Sequence, residues 1–381
     1  MVTHAAAAEE GRGALPSRVG VDARMLAPRP TGVGNYIAGL LLPLCRRYPS
    51  TRFFLYSNGR IEFAPLANVT IREGGMRVGP AWLNLQLPRT LASDGIEVFW
   101  GANGVAPVLG ARPTVVTVHD LVYRFAGSTM TRGARWTKRL FQGWSVRRAR
   151  HVIAVSAATA ADVHATYGRR VDAVIEPIAH AVFHRRDAEA MSLARASHGL
   201  SEPFWLFAGT LEPRKNLVNL LGAYIGLVEQ GESMPTLALA GAAGWGEPRL
   251  NELIRQGEAS GCVRRLGYVS TDDLACLYSA CEVLWMPSLY EGFGMPLLEA
   301  QRCGAPVVHG PHASMVEASG GLGVVSGTDE SSLAATLRSI ARGGAPLTCR
   351  IFDCPADAAQ VEISSHGLWR LLSQAASTAG T

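Results

Sequence analysis

Glu291 and Glu299 flank a glycine-punctuated turn in "YEGFGMPLLEA" (290–300), directly after the apolar run "EVLWMPS" (282–288). Gly292 and Gly294 open the turn, and a helix starts near Met295-Pro296, where an early proline is tolerated. With ordinary helical rise, Glu299 lies about 6 Å further along the helix axis. One elongated ligand could then meet both acids, its hydroxyls at Glu291 and the turn amides, a diol at Glu299. The alternative leaves Glu291 as a charge at a helix terminus and Glu299 as an exposed acid.

Three other stretches carry residues suited to chemistry. In "FAGTLEPRKNL" (207–217), Arg214 and Lys215 follow an apolar run and precede Asn216, read as a helix cap. Two cations beside a helix N-terminus suit a diphosphate, whereas the same pair on an open surface means nothing. In "VTVHDLVY" (116–123), His119 and Asp120 end a strand. An imidazole there can donate a hydrogen bond to a substrate hydroxyl or exchange a proton. Equally, Asp120 caps the segment after it and His119 bonds the backbone. In "TGVGNYIAGL" (31–40), Gly32 and Gly34 read as a loop before a helix, allowing close backbone approach to an anion or forming a plain turn. The full Gly-x-Gly-x-x-Gly pattern and Gly-Lys-Ser/Thr are both absent, which argues against dinucleotide and P-loop sites.

Elements able to position these residues recur in two series of short apolar runs alternating with helical patterns. The first holds strand candidates at 18–23, 52–57, 68–73, 97–101, 114–120, 151–156 and 171–177, with helices near 34–47, 80–93, 133–150 and 157–167. The second holds 204–209, 236–241, 263–267, 282–288, 306–310 and 321–327. Runs buried on both faces and alternating with helices imply parallel sheets of doubly wound type, whose ligands bind at the carboxyl ends of the strands. All four motifs stand at such ends.

The chain of 381 residues exceeds what one core usually supports, and its 48% hydrophobic and 18% charged composition is that of a folded soluble protein. The expected division is a flexible leader (1–16), a first domain (17–185), a polar linker (186–203), a second domain (204–360) and a terminal helix (361–381) crossing back to the first domain. The longest apolar run, at 36–45, is about half a bilayer span. The leader lacks the basic start and apolar stretch of a signal peptide. Seven scattered cysteines without metal-ligand spacing read as reduced thiols, and no metal site is expected.

The net charge of +5 is unevenly spread. From Leu121 to Ala161 there is no acid, while seven arginines and Lys138 fall in that window. Trp136, Leu140, Phe141 and Trp144 interleave with them at helical spacing. Two readings stay open: a basic amphipathic helix facing an anionic membrane, polyanion or polyphosphate, or a surface helix with its aromatic stripe in the core.

Taken together, "GVDARMLAPRPTGVGNY", "VHDL", "GTLEPRKN" and "EGFGMPLLEAQRCGAPVV" resemble glycosyltransferase family 4, the large retaining group of GT-B architecture, over roughly residues 17–330. The acid pair Glu291 and Glu299 is the specific part of the likeness. The resemblance implies two Rossmann-like domains with parallel sheets facing a central cleft. It further implies a nucleoside-diphosphate sugar donor, retention at the anomeric carbon, and no cofactor or metal.

By motif, Arg214 and Lys215 would neutralise the diphosphate. Gly32, Val33 and Gly34 would offer amides near the phosphates or the acceptor. His119 would touch the transferred sugar, with Asp120 beside it. Glu291 and the Gly292, Phe293, Gly294 and Met295 amides would face the sugar hydroxyls, and Glu299 the ribose, with Leu298 alongside. Thr210 stands where some branches carry arginine, and Glu317 follows Met315-Val316 where a proline would be expected.

The implied activity is hexosyl transfer, mannosyl by preference and from GDP-mannose, to a glycan or lipid-linked acceptor in bacterial surface polysaccharide synthesis. The place of work would be the cytoplasm, peripherally at the inner face of the cytoplasmic membrane where anionic lipid lies, with no nucleic-acid partner. Outside that class stand a GT-B isomerase of nucleotide-sugars and a non-catalytic scaffold.

Overall fold

The computed structural model describes residues 15–28, 32–110, 112–200, 203–244, 248–344, 346–349 and 354–377, without the side chains of 134 and 354–358. Most of the leader, through residue 14, therefore lies outside the described residues.

Two parallel sheets form the frame. The first contains β1 (Arg18–Asp22), β2 (Arg52–Ser57), β3 (Val69–Glu73), β4 (Val98–Gly101), β5 (Thr114–Val118), β6 (His151–Ala154) and β7 (Ala173–Val174), in the order β3-β2-β1-β4-β5-β6-β7. The second contains β8 (Phe204–Ala208), β9 (Thr236–Ala240), β10 (Val263–Gly267), β11 (Val283–Met286), β12 (Val307–His309) and β13 (Val324–Val325), in the order β10-β9-β8-β11-β12-β13. Strands β8 and β11 are buried along their whole length, which is why their sequences are almost wholly apolar. Edge strands β3 and β10 are partly exposed and carry charges.

In each sheet the winding direction reverses once, between β1 and β4 and between β8 and β11. At such a point neighbouring connections leave on opposite faces and open a crevice at the carboxyl ends. Arg214 and Lys215 follow β8, and Glu291 follows β11, so one switch point gathers the second domain's acid and cations. In the first domain, His119 follows β5, the neighbour of β4, and the Gly32 helix follows β1.

Three local expectations need correction. Gly32, Val33 and Gly34 form the first turn of the Gly32–Arg47 helix and not a loop before it. Asn216 precedes the Leu217–Glu229 helix but makes no side-chain cap. Its backbone is left-handed at φ 60, and its amide donates to the Thr328 carbonyl at 2.7 Å. Residues 186–203, expected as a polar linker, hold the helix Ala188–His198, capped by the Asp187 side chain and ended by left-handed Gly199.

The terminal helix, Cys354–Ser377, starts before residue 361 and lies against the first domain. Trp369 stacks on Tyr48 with ring centroids 3.8 Å apart, and Leu368, Leu371 and Leu372 are buried in the core that runs beneath both sheets. Among the described residues no helix is long and apolar enough to cross a membrane.

Candidate active site

Lys215 and Arg214 are brought to the cleft by a single turn, Pro213–Lys215, between β8 and the following helix. Lys215 is buried, and its Nζ lies 2.7 Å from Glu291 Oε1. Arg214 pairs with the other oxygen of Glu291 and with Glu212, and it donates to the Tyr290 carbonyl at 2.9 Å. Burial alone would raise the Glu291 pKa, but the two cations outweigh it and hold the carboxyl down at about 2. Burial lowers the Lys215 pKa, with Glu291 pulling the other way. The set is balanced, two cations against Glu291 and Glu212, so an arriving diphosphate must take the cations over from carboxylates.

The Glu291 backbone is held as firmly as its side chain, its carbonyl accepting from Ser314 Oγ at 2.7 Å. Gly292 follows in the tightest contact of the cleft. A Cβ there would lie 1.6 Å from the His119 carbonyl oxygen, so only glycine lets the second domain's turn meet the first domain's strand end. The Gly292 carbonyl accepts from Ser156 Oγ at 2.6 Å and Thr159 Oγ1 at 2.9 Å, both on the first domain. Gly294, at φ 120, turns the chain into the Met295–Arg302 helix. Phe293 is buried and Leu298 half-buried.

His119 is half-buried and edge-on to Tyr36, with ring centroids 5.1 Å apart. Its Nε2 lies 2.7 Å from the Ala102 carbonyl. A carbonyl only accepts, so Nε2 carries the proton, and burial lowers the pKa and favours the neutral ring. Of the two readings of His119, the structure shows the bond to the backbone, and in this tautomer Nδ1 is the ring nitrogen able to accept. Beside it, Asp120 takes Lys138 Nζ at 2.7 Å, and Gln142 donates to its backbone carbonyl at 3.0 Å. Burial would raise the Asp120 pKa, but Lys138 outweighs it and brings it to about 2.

Glu299 is 7% exposed, which overturns the reading of it as an exposed acid. Its nearest hydrogen-bond partner is Tyr278 OH at 3.5 Å, a long contact. Burial pushes its pKa up to about 7, against weak opposition from Tyr278 and Lys215. A buried carboxyl so thinly partnered is suited to receive hydroxyl donors.

The structure thus brings Arg214, Lys215 and Glu291 into one cluster, and His119, Asp120 and Gly292 into one interdomain contact. Met295 approaches the first turn of the Gly32 helix, its Cγ 3.6 Å from where a Gly32 Cβ would stand. Thr210 is exposed. Glu317 reaches the first domain and accepts from the Ala157 amide at 2.8 Å and the Ala158 amide at 3.3 Å.

Sequence reasoning missed Tyr290, Ser156, Thr159, Asp162 and Glu212. Tyr290 OH donates to Asp162 at 2.8 Å and accepts from the Leu121 amide at 3.1 Å. Its position next to Glu291 was the one available signal. Among the described residues no group of three or more His, Cys, Asp or Glu side chains is arranged to hold a metal ion.

Two family models match the chain, "Glycosyltransferase Family 4" over residues 21–182 and "Glycosyl transferases group 1" over residues 193–343. Among curated relatives, O-antigen chain mannosyltransferase B of Escherichia coli is 39% identical over 142 residues, 37% of this chain and 37% of that protein. D-inositol 3-phosphate glycosyltransferase of Rhodococcus opacus (strain B4) is 34% identical over 147 residues, 37% of this chain and 31% of that one. The matched stretches thus span only about a third of these relatives' length.

Among solved structures, Anabaena HepE in complex with UDP-glucose aligns at a TM-score of 0.63 and 19% identity, covering 96% of this chain and 99% of the other. WaaG, a glycosyltransferase involved in lipopolysaccharide biosynthesis, aligns at 0.64 and 16% identity over 94% and 98%. At these identities the likeness speaks for the GT-B fold alone. The two family models divide the chain where its sheets divide, one on each domain, and the chain belongs to the family 4 glycosyltransferases.

Proposed function

We propose that the chain is a retaining hexosyltransferase that moves mannose from GDP-mannose to a glycan or lipid-linked acceptor in bacterial surface polysaccharide synthesis. The observation that carries the reading is the Arg214, Lys215 and Glu291 cluster at the β8/β11 switch point, facing the His119 strand end. Mannose is preferred because relatives of this chain are named O-antigen chain and serotype-specific mannosyltransferases. A peripheral contact with anionic membrane belongs to the same reading, since a lipid-linked acceptor is held there.

In the proposed reaction an acceptor hydroxyl oxygen bonds to the anomeric carbon as the bond to the diphosphate oxygen breaks on the same face. The hydroxyl proton passes to the leaving phosphate. Lys215 and Arg214 take up the growing charge on the diphosphate, the kind of electrostatic stabilisation that usually contributes most to catalysis, and this is the basis for metal-independent transfer. Glu291, with both oxygens engaged by cations, is better placed to position than to attack. Glu299 accepts from the ribose diol.

The test is incubation of the full chain with labelled GDP-mannose, UDP-glucose and other nucleotide-sugars, with lipid-linked and free glycan acceptors, with and without chelator. Net transfer from GDP-mannose with retained configuration, unaffected by chelator, is expected. Epimerised donor without transfer would indicate an isomerase, and donor binding without turnover a scaffold. Transfer from UDP-glucose alone would overturn the choice of mannose.

A further inference from the structure

The helix Arg132–Arg148 buries the aromatic stripe that its sequence offers only in part, with Phe141 and Trp144 half-buried and Trp136 and Leu140 exposed. Its core side is Gln142, Ser145, Val146 and, just beyond, Ala149, with Val146 packed against Val116 and Val118. Trp136 is 68% exposed and Leu140 59%, one turn apart on the same face. Beside them opens a cavity of about 650 Å³, lined by Tyr123, Trp144 and Tyr167 and by Arg124, Arg135, Arg139, Arg147 and Arg148.

Among the described residues no carboxylate pairs with any of those five arginines. Three of them instead lie over aromatic rings: Arg139 over Trp136, Arg147 over Tyr167 and Arg148 over Trp144, at 5.8, 5.3 and 5.6 Å. Uncompensated like charges crowded around one groove repel, and a bound anion relieves them. The exposed indole and leucine make contact with a non-aqueous phase favourable as well.

We propose that this groove docks on a bilayer carrying acidic phospholipid, its arginines on the phosphate headgroups and Trp136 and Leu140 at the acyl boundary. The inference rests on the membrane part of the functional reading and not on glycosyl transfer. A soluble polyanion would satisfy the arginines but would leave the Trp136 and Leu140 face in water, so the observations favour lipid. The same helix holds Asp120 of the cleft through Lys138 and Gln142. A docked groove would therefore present the first-domain side of the cleft at the membrane surface.

The experiment is sedimentation of the full chain with phosphatidylcholine vesicles, with and without phosphatidylglycerol, across a salt series, and with brominated acyl chains to quench nearby indoles. Binding should require the acidic lipid and fall with salt. Arg139→Gln with Arg148→Gln should lower partitioning at least about tenfold. Trp136→Phe should remove most of the bromine quenching, which a merely electrostatic contact would not show.

Melting temperature and stabilisation by GDP-mannose or UDP-glucose are followed in parallel, so loss of docking is separable from loss of the donor site. No vesicle binding, equal binding to neutral lipid, or binding that survives the arginine pair would overturn the proposal. Salt-sensitive capture by heparin without bromine quenching would overturn it in favour of a soluble polyanion.

Discussion

Lys215 and Glu299 are both buried in the second domain, and their environments set them apart. Lys215 has a carboxylate partner at 2.7 Å, and on the proposed reaction its ammonium must follow the charge onto the departing diphosphate. Lys215→Ala is expected to lower kcat/KM by roughly 10²–10³, a loss beyond the lower melting temperature that follows from leaving Arg214 alone against Glu291 and Glu212. Transfer kinetics beside a thermal melt decide it, and near-normal turnover would remove Lys215 from the reaction. Glu299 has no such partner, and its carboxyl keeps a proton up to about pH 7 when folded, against 4.5 as its ordinary value. The folded chain thus binds more protons than the unfolded chain between those values, so stability without ligand falls as pH rises from about 4.5 to about 7, by ~3 kcal/mol at most. A donor that needs the ionised form binds more weakly as pH falls below about 7. Glu299→Gln is expected to flatten both profiles, stabilising the free protein at pH 8 while weakening donor binding, and a donor lacking the ribose diol should lose less. Equal discrimination by mutant and wild type against that deoxy donor would separate Glu299 from the ribose.

The strands were legible because each is buried on both faces and written in nearly unbroken apolar residues, as in "FWLFA" for β8 and "VLWM" for β11. Strand ends were legible for the same reason, since a polar residue such as His119, directly after β5, interrupts that pattern abruptly. What joins one domain to the other was not. Ser156 caps the Ala157–Tyr167 helix, accepting from the Thr159 amide, and nothing local announces that its hydroxyl donates to Gly292. Likewise Glu317 sits on the second domain while its carboxylate caps a first-domain helix, a pairing 160 residues apart that no periodicity encodes. Gly292 lies between the two cases, visible as a turn glycine but required by a contact across the cleft. Gly292→Ala should therefore leave each sheet intact and separate the domains, because the new methyl meets the His119 carbonyl. Small-angle scattering should show a larger radius of gyration with unchanged circular dichroism, and an unaltered radius would mean that the turn can shift to accommodate it.

At the scale of the whole molecule, the residues that touch the proposed donor and those that hold the domains together are neighbours in one loop. Tyr290 precedes Glu291 and Gly292 follows it, and both are gripped by the first domain. The Tyr290 hydroxyl joins the Leu121 amide to Asp162, and its ring stacks on Phe125 and against His312. Opening the domains would therefore free the loop on both sides of Glu291, which couples closure to the site. Tyr290→Phe keeps the ring contacts and removes only the hydroxyl, leaving the Leu121 amide and Asp162 without that partner. An unsatisfied buried group costs about 1–3 kcal/mol, and because both partners lie across the interface that cost falls on the closed state. The closed-to-open ratio should drop by about fivefold to somewhat over a hundredfold. Hydrogen exchange should then quicken at the Leu121 amide and at the start of the Ala157–Tyr167 helix, while the β8 and β11 amides stay protected. Turnover should fall together with closure, and donor affinity by less, since Arg214, Lys215 and Glu299 all remain on the second domain. Unchanged exchange at Leu121 would show that the hydroxyl does not hold the domains together, and faster exchange with full turnover would show that closure does not set Glu291.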